Sequence, residues 1–186
     1  MDTKSQIIEK ATILFQQKGY KGVGVNEILK ACNITKGAIY HHFPNGKEEV
    51  LIASLQANEK LITTEITNVF NRHPSTQEAV QALIEKLVDD FDRKGMIIGY
   101  TFSSMANEIA SLSDPVQNAY SSLYSKIQEI FVRKLEADGF SADSAESMAL
   151  LIAAAIEGGI MLCLVKKSGD PLQTLSHVIP KLLKKS

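Results

Sequence analysis

Apolar residues recur at helical spacing along almost the whole chain, and runs that alternate apolar with polar residues are few. Clusters of β-branched residues are scarce, so no segment reads as a sheet strand. A chain patterned this way buries its apolar stripes by packing helix on helix. The expected fold class is therefore all-α, with about nine helices.

Capping signals set the expected borders. Ile7, Ile8, Ala11, Leu14 and Phe15 share one face of a first helix. Thr3 and Gln6 have capping-box spacing at its start, and Gly19 stands where it would end. A short helix follows over Val25–Cys32, with Val25, Ile28, Leu29 and Cys32 inward. Asn33 suits a tight turn, Ile34 points to the core, and Thr35 is a good N-cap for a helix over Lys36–Phe43. Pro44 stops that helix. Asn45, with Glu48 three positions on, opens a helix from Gly46 to about Phe70. At about 1.5 Å per residue it reaches about 35–40 Å. Later helices are expected over Thr76 to about Lys94, Met96 to about Ser111, Asp114 to about Asp138, Ser141 to Lys167, and Asp170 to about Lys184. Asp114-Pro115 and Asp170-Pro171 carry the cap-then-proline signal, Gly139 is a stop, and Pro180 is expected to kink or shorten the last helix.

The 186 residues, 45% of them apolar, suffice for one good core or two small ones. The net charge of −1 announces no global attraction to nucleic acid. It is uneven, though, with seven lysines against five acids in residues 1–50. Cys32 and Cys163 sit in apolar helical patterns without zinc-ligand spacing, which suits buried thiols in a reducing cytosol. Residues 1–20 lack the basic-then-apolar layout of an export signal. A cytoplasmic protein without membrane anchorage is expected. The most lipid-like run, Met148–Val165, is interrupted by Glu157 and by Gly158-Gly159, and reads as a buried interface helix.

Two short helices joined by a tight turn and packed on a preceding helix describe a helix-turn-helix. In such a unit the second helix enters the major groove with its first residues near base edges. Here it carries Lys36, Gly37, Ala38, Tyr40 and His41 on the outer side, with Ile39 and Phe43 pointing to the core. Gly37 and Ala38 let a backbone approach DNA closely. Lys36 reaches a guanine edge or a phosphate, and Tyr40 and His41 offer donors to phosphate oxygens. The same spacing also suits a plain helical corner with solvated polar residues.

The stretch GVGVNEILKACNITKGAIYHHFPNGKEEVL resembles the DNA-binding motif of TetR-family transcriptional repressors, most specifically in KGAIYHHF. The likeness is close over about residues 5–55, and the nine-helix layout extends it loosely over the chain. It implies a helix-turn-helix DNA-binding domain over 1–48 and a ligand-binding and dimerisation domain over 49–186. By this resemblance Asn26 lies where the family often contacts phosphate. Thr35, Lys36, Ala38, Tyr40 and His41 match recognition-helix positions, and Lys47 matches a phosphate-holding lysine. Two departures stand out. Gly24 replaces the family's usual threonine, and Asn33 replaces its small turn residue. PNGKEE and EGGIMLCL further resemble the branch around the lincomycin-resistance operon repressor.

A single head of this kind binds weakly, so two heads on a symmetric dimer are expected, reading half-sites of a palindromic double-stranded operator. Leu151, Ile152, Ala155, Ile156, Gly159, Leu162 and Cys163 form a broad apolar face on the Ser141–Lys167 helix. Leu172, Leu175, Val178, Ile179 and Leu182 of the last helix complete the expected homodimer interface. As in the family, middle helices would form a pocket for a small-molecule inducer. Phe91, Met96, Tyr100, Phe102, Met105, Tyr120 and Tyr124 supply its apolar wall, and Asn107 and Glu108 supply polar anchors. The branch resemblance implies a drug-like or flavonoid-like aromatic ligand. The fourth helix would act as a lever between pocket and head. An enzyme is not expected, nor a cofactor, metal or catalytic group. His41 and His42 diverge around a helix, His73 and His177 lie elsewhere, and no HExxH or serine elbow is present. The rival reading is a helical small-molecule-binding or protein-interaction module without specific DNA binding.

Overall fold

The structure is a computed structural model and describes residues 2–95, 97 and 105–183. Among these residues it contains nine α-helices and no strand. They are α1 (Thr3–Lys18), α2 (Val25–Cys32), α3 (Lys36–His42), α4 (Lys47–Asn71), α5 (Thr76–Lys94), α6 (Ala106–Ile109), α7 (Asp114–Ala137), α8 (Ala142–Lys166) and α9 (Asp170–Leu182). The chain divides into two compact units, one of Met1–Lys60 with Thr101–Tyr124, the other of Leu61–Tyr100 with Ser125–Ser186.

In the first unit, α1 begins one residue earlier than the Thr3–Gln6 spacing suggests. Asp2 is the cap, and its carboxylate accepts the Ser5 amide at 2.8 Å. An aspartate there satisfies an orphan N–H and meets the positive end of the helix dipole. Gly19 ends the helix at φ 71°, a conformation that strongly favours glycine. One stripe of α1 (Ile7, Ala11, Phe15) meets Ile28 and Cys32 of α2, Ile39 of α3, and Val50, Leu51 and Leu55 of α4. Phe43, Met105, Ile109 and Val116 close this core. Full burial of Phe15 and of Phe43 stabilises it by about 2–3 kcal/mol each.

Two details differ from the sequence reading here. The Asn45 amide donates to Glu49 at 2.8 Å, so the reciprocal contact skips Glu48. The helix expected over Met96–Ser111 is reduced, in its described part, to α6. Residues 96 and 98–104 lie outside the described residues. Ser111 ends α6 chemically, because its hydroxyl donates to the Glu108 carbonyl at 2.7 Å and competes with helix continuation.

In the second unit α9 packs against both α5 and α8. The α8–α9 approach is tight at Gly159, where an added Cβ would stand 2.6 Å from Leu175 and 2.8 Å from Leu172. Phe70 and Phe131 stack at 5.3 Å between centroids. The α4–α5 connection is tied down by Lys134, whose ammonium donates to the His73 carbonyl at 2.8 Å, and by Asp138, which accepts the Thr76 amide at 2.5 Å. Pro180 lies inside α9, which continues two residues beyond it to Leu182, short of the Lys184 expected from the sequence. Asp114 and Asp170 are first helical residues rather than caps.

Candidate nucleic-acid interface

The α2–turn–α3 unit is built by local chemistry. Asn33 takes the left-handed conformation at φ 53°, which asparagine tolerates, and turns the chain out of α2. Thr35 then caps α3, its hydroxyl accepting the Ala38 amide at 3.3 Å. Ile39 and Phe43 anchor α3 in the core, which leaves the opposite side to solvent. Asn26, Thr35, Lys36, Gly37, Tyr40 and His41 are all exposed, and Ala38 is half-buried. Tyr40 is 41% exposed although aromatic, and it lies beside Gly46, where a Cβ would stand 3.4 Å from its ring. The Lys36 ammonium is 5.9 Å from the Tyr40 ring centre. His41 and His42 meet edge to face at 5.0 Å. Six of the eight expected DNA-contact residues are thus exposed, at α3 or at the start of α2, and Ala38 is half-buried.

Lys47 is the eighth. Its ammonium is half-buried and donates to the carbonyls of Tyr20 and Val23, both at 3.0 Å. It also lies 3.8 Å from the centre of the Tyr20 ring, a cation–π distance. Burial lowers its pKa from the ordinary lysine value, while Glu108 and Glu48 oppose that shift. Lys47, expected to hold a phosphate, here bonds the α1–α2 turn, because two carbonyls lie within reach of its ammonium. Burial, with help from Glu48, raises the Tyr20 hydroxyl above its ordinary pKa.

The expected interface set is divided by burial. Ile152, Ile156, Gly159, Cys163 and Ile179 are buried within the protomer, while Ala155 and Leu175 are half-buried. Burial inside the protomer leaves these five little surface for an outer contact. Leu151, Leu162 and Val178 remain exposed, and the sequence reading missed their companions Leu150, Met161 and Val165. Leu150, Leu151, Met161, Leu162 and Val165, with Ala154 and Gly158, form one stripe along α8, and Val178 lies on α9. A Cβ on Gly158 would touch nothing. The helix is apolar and long enough by composition to cross a membrane, but its inner face is part of a packed helical unit.

The expected pocket set is described only in part. Met96, Tyr100 and Phe102 lie outside the described residues. Phe91 is buried in the second unit, and Met105 is buried in the core of the first. Asn107 faces solvent, and Glu108 binds the α1–α2 turn. Tyr120 and Tyr124 do come together, with rings 5.2 Å apart and hydroxyls at 3.3 Å. A separate open groove of about 540 Å³ runs between α7 and α8, lined by Ser125, Gln128, Glu129, Val132, Glu146, Ser147 and Leu150. None of the expected pocket residues lines it.

Residues 7–53 match the family described as "Bacterial regulatory proteins, tetR family". Residues 76–178, more than half of the chain, match "Transcriptional regulator LmrA/YxaF-like, C-terminal domain". The chain belongs to the TetR family of transcriptional regulators. This regulator is 35% identical to the HTH-type transcriptional regulator YxaF of Bacillus subtilis, over 99% of this chain and 96% of the relative. It is 33% identical to the HTH-type transcriptional regulator LmrA of the same organism, over 99% and 98%. The fold is also that of reduced Escherichia coli NemR, with a TM-score of 0.89, 20% identity and 100% of both chains covered. A TetR transcriptional regulator from Legionella pneumophila is similar at a TM-score of 0.84 and 26% identity, over 99% of this chain and 98% of that one. The regulator is therefore a helix-turn-helix DNA-binding protein of a non-enzymatic family.

Proposed function

We propose that the protein is a cytoplasmic, ligand-responsive repressor that binds a palindromic operator as a homodimer and leaves it when a small apolar or aromatic inducer binds. The observation that carries this reading is the outward surface of α3. Lys36, Gly37, Tyr40 and His41 are exposed there while Ile39 and Phe43 are core, and Asn26 is exposed at the start of α2. In the proposal the exposed residues touch DNA, and Lys47 orients the turn ahead of α2. Residues 1–48 serve as the reader and 49–186 as the sensor and dimer contact.

Dimerisation is supported by the α8 stripe. Leu150 is 58% exposed, Met161 54% and Val165 76%, on a helix with small residues that permit close approach. Two such stripes facing each other, flanked by Val178 and Leu182 of α9, would exclude water from apolar surface on both sides. For the inducer, the Tyr120–Tyr124 pair supplies aromatic surface with hydroxyl anchors. In the proposal the ligand is drug-like or flavonoid-like, an aromatic compound whose ring faces the Tyr120–Tyr124 pair. Such a ligand acts through its different affinity for two arrangements of the dimer, not through binding as such. α4 contributes to both compact units and is the lever in this scheme.

Titration of duplex DNA at several salt concentrations tests the reading. A repressor shows log affinity falling steeply with log salt, and a preferred inverted repeat. Flat salt dependence with no preference over random duplexes would instead identify an interaction module that has lost DNA reading.

A further inference from the structure

The turn between α1 and α2 is held from two sides by groups distant in sequence. On one side, Glu108 of α6 accepts the Lys21 amide at 2.7 Å through Oε2. Its Oε1 fills the space that a Cβ on Gly19 would need, 2.5 Å away. On the other side, the Lys47 ammonium donates to the Tyr20 and Val23 carbonyls at 3.0 Å each. An anion thus meets a backbone donor, and a cation meets two backbone acceptors. Charge-assisted bonds of this kind are about twice as strong as neutral ones.

What this turn feeds gives the arrangement its consequence. It leads straight into Gly24, which caps α2 without any side-chain bond. α2 has only eight residues, so its start is positioned from outside rather than by its own cap. Asn26 sits there, and α2 packs in turn on α3. The stretch bearing Glu108 is moored as well, since Ser113 donates to Glu48 at 2.6 Å and Ser122 to Glu59 at 2.9 Å.

We infer that Glu108 is a positioning residue for DNA binding: its carboxylate fixes the α1–α2 turn, and through it the start of α2, in the arrangement that fits the operator. The inference deepens the repressor reading and rests on it. Glu108 touches no DNA in this scheme. It makes the segment after the sensor helices a second route into the head, beside α4.

The sign of the effect separates this role from plain electrostatics. Removing a negative charge near DNA should by itself tighten binding to every duplex. Loss of a positioning bond should weaken binding to the fitted duplex. The experiment compares full-length wild type, Glu108→Ala and Glu108→Gln, the last keeping an acceptor and nearly the same volume. The probe is the duplex that wild type recovers from a randomised pool, beside random duplex of equal length. Amide hydrogen exchange at Lys21 is read in parallel, and thermal melting verifies folding. Exchange at Lys21 should accelerate about tenfold in Glu108→Ala, and affinity for the recovered duplex should fall by about the same factor. Glu108→Gln should lie between, and the salt slope should stay unchanged. Equal or tighter binding of the recovered duplex by Glu108→Ala overturns the role. So does unchanged exchange at Lys21, whatever the affinity does. A wild type without sequence preference removes the repressor reading, and the positioning role falls with it. Lys21 exchange would still show whether the bond to the turn exists.

Discussion

Gly37→Ala separates what the fold needs from what a partner needs. Gly37 is the second residue of α3. Its φ lies outside the left-handed region, and an added Cβ would find only the Thr35 hydroxyl, 3.9 Å away. Both ordinary intramolecular reasons for a glycine are thus absent. Yet glycine costs a helix about 0.5–1 kcal/mol relative to alanine. Gly37→Ala should therefore stabilise the protein by about that amount and raise the melting temperature by about 1–4 °C for a chain of this size. On DNA the same methyl group enters a surface pressed against the groove. Overpacking of that order costs about 1–3 kcal/mol, or about five- to 150-fold in affinity. Thermal melting by circular dichroism and duplex titration at one fixed salt concentration read the two effects separately. The salt slope should not change, because no phosphate contact is lost. A stabilised variant that binds DNA as tightly as wild type would refute close approach at α3. A destabilised variant would refute the open space around Gly37.

Lys47→Met should lower stability by about 2–3 kcal/mol in urea titrations, since two carbonyls lose a charged donor, whereas Lys36→Met should stay within about 0.5 kcal/mol. Equal small losses would show that Lys47 does not hold the turn. The pair Leu151→Asp and Leu162→Asp should give a folded monomer by sedimentation, while Ile156→Asp should unfold the protein, because Ile156 is buried and the other two are exposed. A double variant that stays dimeric moves the interface elsewhere. Asp90 bonds Lys86 at 2.7 Å, and that bond first, then the charges of Lys86, Lys94 and Arg93, hold its pKa below the ordinary 3.8. A depressed carboxyl adds stability above the unfolded pKa and loses it as pH falls through the folded one. The melting-point gap between wild type and Asp90→Asn should therefore shrink on going from about pH 6 to about pH 3, and a constant gap would show that the Asp90 charge contributes nothing.

Local chemistry was legible wherever side chains mark a border. Val25–Cys32 ends where Asn33 was expected to turn the chain, and α3 starts where Thr35 was expected to cap it. The recognition surface was legible for the same reason, since Ile39 and Phe43 fix which side of α3 faces in. The face of α8 was not. That helix is apolar nearly all round, so its periodicity has no contrast, and Ile152 (buried) looks in sequence like Leu151 (exposed). The contacts that Lys47 and Glu108 make within the protein were not legible for a different reason. Their partners lie 24, 27 and 87 residues away and are backbone groups, which carry no residue-type signal. At its C-terminal end α6 stops at Ile109, short of the expected Ser111, because Ser111 takes the carbonyl that would have prolonged the helix.

These misplacements share a consequence for how the head discriminates. Residues 1–50 carry seven lysines against five acids. Lys47 is spent on the turn, and Lys18 is paired with Glu27 across α1 and α2. The remaining charge gives only a weak sequence-independent pull toward phosphate at cellular salt. A head of low net charge gains little from any DNA it meets by chance, so its affinity depends on fit. Fit in turn depends on where α2 and α3 stand, and α2 starts from a glycine cap with no side-chain bond. Glu108 and Lys47 supply from outside the order that this start lacks. In the proposed repressor, a small displacement of their segments would change operator affinity by a large factor while random-sequence affinity stays low, as a ligand-operated switch requires.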